Sequence, residues 1–462
     1  MKAVRTFLTV LCLSASIAVW PVSTEAEPLP VEVSFPRLWD LVQKHAPSEQ
    51  AGELELKAFQ AEQERAIRQG YPRLFLDARA FSTNDSALSF ISLLNQREIQ
   101  SSDFSPDFLN YPGHQFFQKA TLGLDWPFYD GGAKRSRIDS QAKEVLAKTF
   151  EKKNSRLQLY QETASLFGSA MIFEKQSDSL GKLSETVNRN LERYRIGVKS
   201  NPLGYSGLLG LKTLKNRINE ALLENDVHRA SAKSALEEKA MELPRSWSPR
   251  TTPGDGESIA DFVRMFLPSS PDNAKARRSA QSEKLQAEAE AAEKRILGEK
   301  AARLPRAGLF SEASLANGNR DLASSYVLGL YLRWDIFSME PYKKAERAEL
   351  NSLAMKARAE DFRLKEKIDT ENAKRSSEAL EKRIALTTES SRLLEEQTIT
   401  SQKLFSTGAI NMLQFLEVLN QNLEITLNLN DAEIAYLNEN LIRIKGTDFE
   451  IPIASAGGQS DQ

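Results

Sequence analysis

Hydrophobic and polar positions follow two different periods along this chain, and the change between them occurs twice in the same order. Short segments alternate with a period of two, which predicts strands, and much longer segments repeat every three to four residues, which predicts helices. The order helix, strand, strand, long helix, turn and helix occupies residues 27–242 and again residues 273–446. An internal repeat of this kind decides the fold class, and it therefore comes before any single motif.

The alternating segments predict four strands, two in each half. They lie at about 72–82 and 118–129, and at about 305–316 and 325–337. The clearest apolar stripe consists of Tyr326, Leu328, Leu330, Leu332, Trp334 and Ile336. Strands of about ten residues with one apolar face and aromatic ends are typical of membrane barrels. For any one segment, a half-buried strand of a soluble sheet is the alternative. Four such segments in two matched pairs favour strands of a membrane barrel.

Each second strand is followed by a turn and an unbroken helix, at about 133–195 and 341–405. At a rise of about 1.5 Å per residue, a helix of this length spans roughly 90 Å. Each helix ends in a glycine corner, which predicts tips at about 197–203 and 408–413.

Gly131 and Gly132 stand between the second strand and the first long helix. Because glycine accepts backbone conformations that other residues avoid, we expect these two residues to form the hinge where strand becomes helix. A ligand-binding role is less well supported, because this glycine pair lacks the upstream glycine of a phosphate-binding loop.

Four other segments frame the repeats. A helix at about 35–70, interrupted by Pro47, opens the first. Residues 82–117 form a long loop with many apolar residues. We expect it to be either a folded cap or a contact surface, and the sequence does not decide between these two. Residues 243–272 are rich in proline and predict a surface excursion with one short helix. Residues 447–462 are small and polar and predict a flexible tail.

The first 26 residues have the features of a secretory signal peptide. Lys2 and Arg5 precede an apolar core that is too short for an ordinary membrane-spanning helix. Small residues before Glu27 suit cleavage there. The single cysteine, Cys12, lies inside this segment, so we expect a mature chain without disulfides or thiol chemistry.

Composition limits the function classes. The 61 basic and 63 acidic residues give a net charge of −2, which argues against a nucleic-acid partner. His45, His114 and His228 are far apart and lack the spacing of metal ligands. With no nucleophile motif or phosphate loop, we expect no catalytic residue, no metal and no cofactor.

Four strands cannot close a membrane barrel. Every backbone polar group must be paired in lipid, so an open sheet edge is not allowed there. Single-chain bacterial barrels begin at about eight strands. Several copies must therefore share one barrel, with eight strands from two copies or twelve from three.

The segment 126–132, Trp-Pro-Phe-Tyr-Asp-Gly-Gly, followed by a very long helix and a glycine corner, resembles the TolC-type outer-membrane efflux proteins, the outer membrane factors. The resemblance covers about residues 35–446. It implies a mainly α fold with a membrane β-barrel, formed by a homotrimer with a 12-stranded barrel in the outer membrane of a Gram-negative bacterium, surrounded by outer-membrane lipid. It also implies an α-helical tunnel in the periplasm.

The function implied by this resemblance is a passive exit duct of a tripartite efflux or type I secretion system. A periplasmic adaptor protein would join the duct to an inner-membrane pump of the ABC, RND or MFS type. A periplasmic coiled-coil scaffold or adaptor without a barrel is the alternative, which explains the long helices but not the alternating strands. The exported substrate is not evident from the sequence.

The resemblance also implies site residues. The family has acidic rings at the pore entrance, at positions that hold Gln414 and Glu417 here, so only one acid is kept; Ile410 stands where the family has a basic residue. A solvated helix residue is the alternative for Glu417. The tips that meet the adaptor would include Arg195, Gly197, Val198, Ser200, Gly408, Ala409 and Asn411. A plain turn without a partner is the alternative for these.

Overall fold

A computed structural model describes residues 31–193, 202–244, 246–250, 258–268 and 278–446, together with residues 449 and 451. The predicted signal peptide, the first tip with Arg195, Gly197, Val198 and Ser200, and nearly all of the predicted tail lie outside these ranges. The predictions for those segments therefore stay predictions.

The first half begins with a short strand and two helices: β1 (Val31–Ser34), α1 (Phe35–His45) and α2 (Pro47–Arg68). Its remaining elements are β2 (Arg73–Thr83), α3 (Ser86–Asn95), a 3-10 helix (Ser101–Phe104), α4 (Pro106–Asn110), β3 (Gln115–Tyr129), α5 (Ala133–Arg193) and α6 (Pro202–Ala240). The junction holds β4 (Trp247–Arg250) and α7 (Ile259–Phe266). The second half consists of α8 (Ala280–Ala301), β5 (Arg306–Asn317), β6 (Ala323–Arg333), α9 (Glu340–Ser406) and α10 (Met412–Lys445). The predicted order of helix, two strands, long helix and returning helix is thus present in both halves.

The segment predicted as one helix at 35–70 consists of two helices separated at Ala46. Ala46 has an extended backbone, with φ −69° and ψ 114°. Proline has no N–H to continue the helix and disfavours helical backbone in the residue before it. Pro47 therefore starts α2 instead of merely interrupting a longer helix.

A small parallel sheet was not predicted. β1 pairs with β4, with Val31 opposite Trp247 and Ser34 opposite Arg250. Four-residue strands are too short to show a reliable alternation, so the sequence offered no signal for this pairing. The pairing ties the start of the described chain to the junction between the two halves.

The main sheet has four antiparallel strands in the order β2-β3-β5-β6. β6 ends at Arg333, which pairs with Arg306, the first residue of β5. The prediction had extended this strand to 337. The residue before Arg306 is Pro305, which has no N–H to donate to a further ladder bond, and the shorter strand follows from that. Among the residues that the structure describes, β2 and β6 are the unpaired edges of this sheet.

The largest hydrophobic core is aromatic. The ring of Phe35 lies 5.5, 5.4 and 5.3 Å from the rings of Tyr160, Phe167 and Phe262. The hydroxyl of Tyr160 donates to the carbonyl of Phe266 at 2.7 Å. Burial raises the pKa of this hydroxyl far above its ordinary value. α7 is therefore part of the core, and its apolar positions every three to four residues explain why it does not remain at the surface as predicted.

A second core joins α5, α6 and α10 near the second tip. It includes Leu180, Leu183, Val187, Leu211, Leu214, Ile218, Phe415, Leu419 and Leu423. Buried polar residues lie between the two cores, namely Gln176, Asn225, Asn430 and Glu433. Glu433 accepts from the Lys175 ammonium at 2.8 Å, which links α10 to α5. The helical part is therefore held by two separate apolar cores with a polar layer between them.

We predict that Phe262→Ala destabilises the folded protein by about 3–5 kcal/mol, because it removes a fully buried ring and leaves a cavity. Met265→Ala on the same helix is the matched control, since Met265 is 36% exposed. Urea unfolding of the purified protein in detergent measures both. Equal losses in the two variants would contradict the place of α7 in the core.

Candidate functional site

One face of the main sheet is rich in exposed apolar side chains, and no other part of the described residues covers it. Its stripe on β6 includes Leu328, Leu330 and Leu332, which are 66%, 73% and 70% exposed. On β2, Leu74 and Leu76 are exposed to a similar extent. A contiguous exposed patch of large apolar side chains marks a surface that another partner covers. We call this surface the outer face.

The opposite face, called the inner face, carries most of the charged and hydroxyl side chains of the sheet. Thr121 and Ser314 lie opposite each other and their hydroxyls are hydrogen-bonded at 2.9 Å. Asp77 accepts from Arg79 on the same strand, at 2.8 and 2.7 Å. These polar side chains lie on the face opposite the leucine stripe, as the alternation predicts, although the inner face also carries aromatic rings.

Glycines on the inner face each lie opposite an aromatic residue. Phe75 pairs with Gly123, and Phe310 pairs with Gly329. A Cβ added to Gly123 would lie 2.2 Å from Cζ of Phe75, and one added to Gly329 would lie 2.6 Å from Cε1 of Phe310. The rings therefore lie flat on the glycine backbone instead of projecting from the sheet, an arrangement known to stabilise strand glycines.

Tryptophans tie the strands to the helices in the same way in both halves. The indole N–H of Trp126 donates to the carbonyl of Gly70 at 3.2 Å, and that of Trp334 donates to the carbonyl of Arg303 at 3.1 Å. Gly70 lies two residues after the end of α2, and Arg303 lies two residues after the end of α8. Each bond joins the end of a second strand to the end of the helix that precedes the first strand, so the repeat extends to individual hydrogen bonds.

The turn between β3 and α5 uses both predicted glycines. Gly131 and Gly132 have φ of +72° and +94°, which favours glycine. The Asp130 carboxylate accepts from the N–H groups of Gly132 and Lys134 at 3.1 and 2.7 Å and so caps the first turn of α5. A Cβ on Gly131 would lie 2.7 Å from Cβ of Leu304. A hinge function for these glycines stays a prediction.

The second tip is built on Gly408, which has a φ of +78°. Its N–H donates to the carbonyl of Phe405 at 3.1 Å, and that of Ala409 donates to Leu404 at 2.9 Å. This pair of bonds is the Schellman motif, which ends a helix by satisfying its last carbonyls. The predicted corner is therefore a well-defined turn with an exposed tip.

Gln414 has a local partner that the sequence analysis missed. The Asn411 side chain accepts from the N–H of Gln414 at 2.9 Å, and the Gln414 side chain accepts from the N–H of Asn411 at 3.0 Å. This reciprocal capping box starts α10. An asparagine followed three residues later by a glutamine is the sequence signal that could have predicted this capping box. A place for Gln414 at a pore entrance stays a prediction.

Glu417 lies on the exposed side of α10, where its carboxylate accepts from Gln421 at 2.9 Å. Glu424 and Asp431 follow at intervals of seven residues and are also exposed. Because residues seven apart share one side of a helix, these carboxylates form one stripe. The sequence analysis missed this stripe, although its period of seven was visible. We call it the acidic stripe.

The histidines lie apart in the structure. His45 faces Glu242 at 3.5 Å, and the ring of His228 stacks on Phe173 at 5.3 Å. In the described ranges no three His, Cys, Asp or Glu residues are placed to share a metal ion. Within the same ranges, no helix is both long and apolar enough to cross a membrane.

We predict opposite effects from two glycine substitutions. Gly408→Ala should cost about 1–2 kcal/mol, because alanine is strained in the left-handed backbone region. Gly181→Ala should stabilise the protein by about 0.5–1 kcal/mol, since Gly181 lies inside α5 with open space around it. Urea unfolding midpoints compare the two. A stabilising Gly408→Ala would contradict the tip geometry.

The sequence matches no protein-family model and no curated protein. The structure is similar to several solved outer-membrane proteins. The CmeC outer membrane channel of Campylobacter jejuni is 12% identical over 89% of this chain and 85% of its own, with a TM-score of 0.73. VceC of Vibrio cholerae is 17% identical over 90% and 97%, with a TM-score of 0.71. The open state of the MtrE outer membrane channel of Neisseria gonorrhoeae is 14% identical over 89% and 88%, with a TM-score of 0.70.

Agreement over nine tenths of the chain, at identities this low, is agreement in fold. The fold expected from the resemblance to TolC-type proteins is confirmed: this chain has the fold of the outer-membrane channel proteins.

Proposed function

We propose that this protein is an outer-membrane channel that acts as the passive exit duct of a tripartite efflux or type I secretion system. The observation that carries the proposal is the two-faced sheet, apolar on the outside and polar on the inside, joined to helices of 61 and 67 residues. The two-faced sheet suits a wall between lipid and water. The long helices suit a tunnel through the periplasm.

The outer face meets the requirements of a lipid-facing surface. β2 and β6 each have 11 residues, which matches the length of a tilted strand that crosses a bilayer. Trp126 and Trp334 lie at the helix-side end of the sheet, where aromatic residues of membrane barrels meet the interface. A soluble scaffold, the alternative function, would leave this apolar surface in water.

The unpaired edges of β2 and β6 support a homotrimer. In lipid these edges must be paired, and pairing β6 of one copy with β2 of the next closes a ring without any other element. Three copies would give about twelve strands, within the range of bacterial barrels. The resemblance to TolC-type proteins favours three copies over two.

The duct itself would do no chemical work, and an inner-membrane pump of the ABC, RND or MFS type would supply the energy. A periplasmic adaptor would contact the tips. Gly408, Ala409 and Asn411 are exposed at the second tip, which supports such a contact.

The acidic stripe would make the tunnel entrance selective for cations. In a trimer, Glu417 would occur three times around the axis near the tips, and Glu424 and Asp431 would repeat this charge at intervals of about 10 Å along the helix. Rings of carboxylates attract cations and repel anions. The retained acid at Glu417 would then act together with two acids further along α10.

We predict that Leu330→Arg sharply reduces the amount of assembled protein in the outer membrane, because arginine in the middle of a lipid-facing strand costs about 2–4 kcal/mol. Val327→Arg on the inner face of the same strand is the matched control and should assemble normally. Sucrose-gradient fractionation with immunoblotting measures both. If Leu330→Arg assembles as well as its control, the lipid-facing assignment is wrong.

We also predict that Glu417→Gln lowers the cation selectivity of the reconstituted channel, whereas Gln421→Glu, which adds an acid beside the same stripe, raises it. The reversal potential in a salt gradient across a planar bilayer gives the selectivity. An unchanged reversal potential in both variants would exclude the acidic stripe from the pore.

A further inference from the structure

The long loop between β2 and β3 is a folded unit that is anchored to the other strand pair. We call residues 84–114, with α3, the 3-10 helix and α4, the cap. The backbone N–H of Arg320, between β5 and β6, donates to the Gln96 side chain at 2.7 Å. The Arg320 guanidinium donates to Asp103 at 2.9 Å, and the Asp103 side chain is only 3% exposed. The sequence left a folded cap and a contact surface as alternatives for this loop. The structure shows a folded cap.

The cap covers the inner face of the sheet at its end far from the helices. Gln115 and Phe117 belong to the inner face and are 7% and 2% exposed, whereas Phe116 between them points to the outer face and is 49% exposed. A Cβ on Gly318 would lie 2.8 Å from Phe117 Cδ1 and 3.0 Å from Gln96 Nε2. Gln96 of the cap therefore lies beside the inner-face ring of Phe117, on the lumen side of the sheet.

α3 exposes large apolar side chains on the side opposite its buried one. Ser89 and Leu93 are 0% and 1% exposed and face the protein. On the opposite side, Leu88, Ile91 and Leu94 are 42%, 53% and 44% exposed, and no residue of α3 is charged. Large apolar side chains that lie together on an exposed surface mark a place that another element or molecule covers. Nothing in the described ranges covers this second side of α3.

We propose that the α3 helices of neighbouring copies pack against one another through Leu88, Ile91 and Leu94 and close the outer mouth of the channel. This proposal rests on the proposed trimeric channel. α3 begins shortly after β2, the unpaired edge strand, and so lies next to the seam where another copy joins.

The position of the cap also indicates which molecule covers the exposed side of α3. The cap lies on the inner face, with Gln96 bonded to the N–H of Arg320, so in the proposed channel α3 lies on the lumen side of its own wall. Apolar side chains exposed to a water-filled lumen are unfavourable, and identical uncharged helices from the other copies can cover them without charge repulsion. A hydrophobic constriction of this kind stops polar solutes by excluding water. It would open only when the caps move apart.

Disulfide cross-linking tests the packing directly. Ile91→Cys is introduced into the full-length protein, whose only native cysteine is Cys12 in the predicted signal peptide. After oxidation of outer membranes, non-reducing electrophoresis should show a disulfide-linked dimer. Leu328→Cys, at an even more exposed position on the outer face, should give none, since the outward-pointing Leu328 side chains of different copies are far apart.

The outcomes of this experiment are distinguishable. If Ile91→Cys forms membrane-embedded trimers on native gels but no disulfide, the cap proposal is wrong while the channel proposal stands. If Ile91→Cys in those trimers reacts with a lipid-soluble but not with a water-soluble maleimide, α3 lies in lipid and the cap proposal is also wrong. If the wild-type protein is not a membrane-embedded oligomer, the proposed channel itself fails.

A second measurement tests the closure. Ile91→Asp should separate the caps and admit vancomycin, a large polar antibiotic that outer membranes exclude, so its minimal inhibitory concentration should fall severalfold in intact cells. Ser102→Asp, at an exposed polar position of the same cap, should leave this concentration unchanged. Equal vancomycin sensitivity in cells with Ile91→Asp and wild-type protein would overturn the proposed closure.

Discussion

The pairing requirement of backbone groups in lipid is the constraint on which the rest of this structure depends. The main sheet exposes an apolar face and also ends in two unpaired strands, β2 and β6. An apolar face alone could be covered by another protein, and an open edge alone occurs in many soluble sheets. The two together have one simple resolution, in which copies of the chain close a barrel that lipid surrounds. In the proposed channel, the oligomer is therefore a condition of the fold rather than an addition to it.

The helical part follows from the same constraint, because a ring of sheets places the helices of all copies around one axis. Trp126 and Trp334 hold each strand pair to the helices at matching points, through bonds to the carbonyls of Gly70 and Arg303. The two halves differ where they meet other molecules. Only the first carries the cap, and only the second carries the acidic stripe.

Much of the fold was predictable from sequence, because long elements repeat their pattern many times. The stripe on β6 and the length of α9 each rest on many consecutive positions. The packing of α7 was not predictable, since Phe262 meets Phe35 and Phe167 from distant parts of the chain. The capping role of Gln414 was visible only as a spacing, and the lumen-side position of the cap depends on the contacts of Gln96. Local pattern thus predicted the elements, while the long-range contacts around the candidate site needed the structure.

The central claim is that several copies of this chain share one lipid-embedded barrel. The most direct test is the mass of the particle extracted by mild detergent from carbonate-washed outer membranes. The account predicts that the protein stays in the membrane pellet and is extracted as a particle of three chains. Release by the carbonate wash, or extraction as single chains, would contradict it.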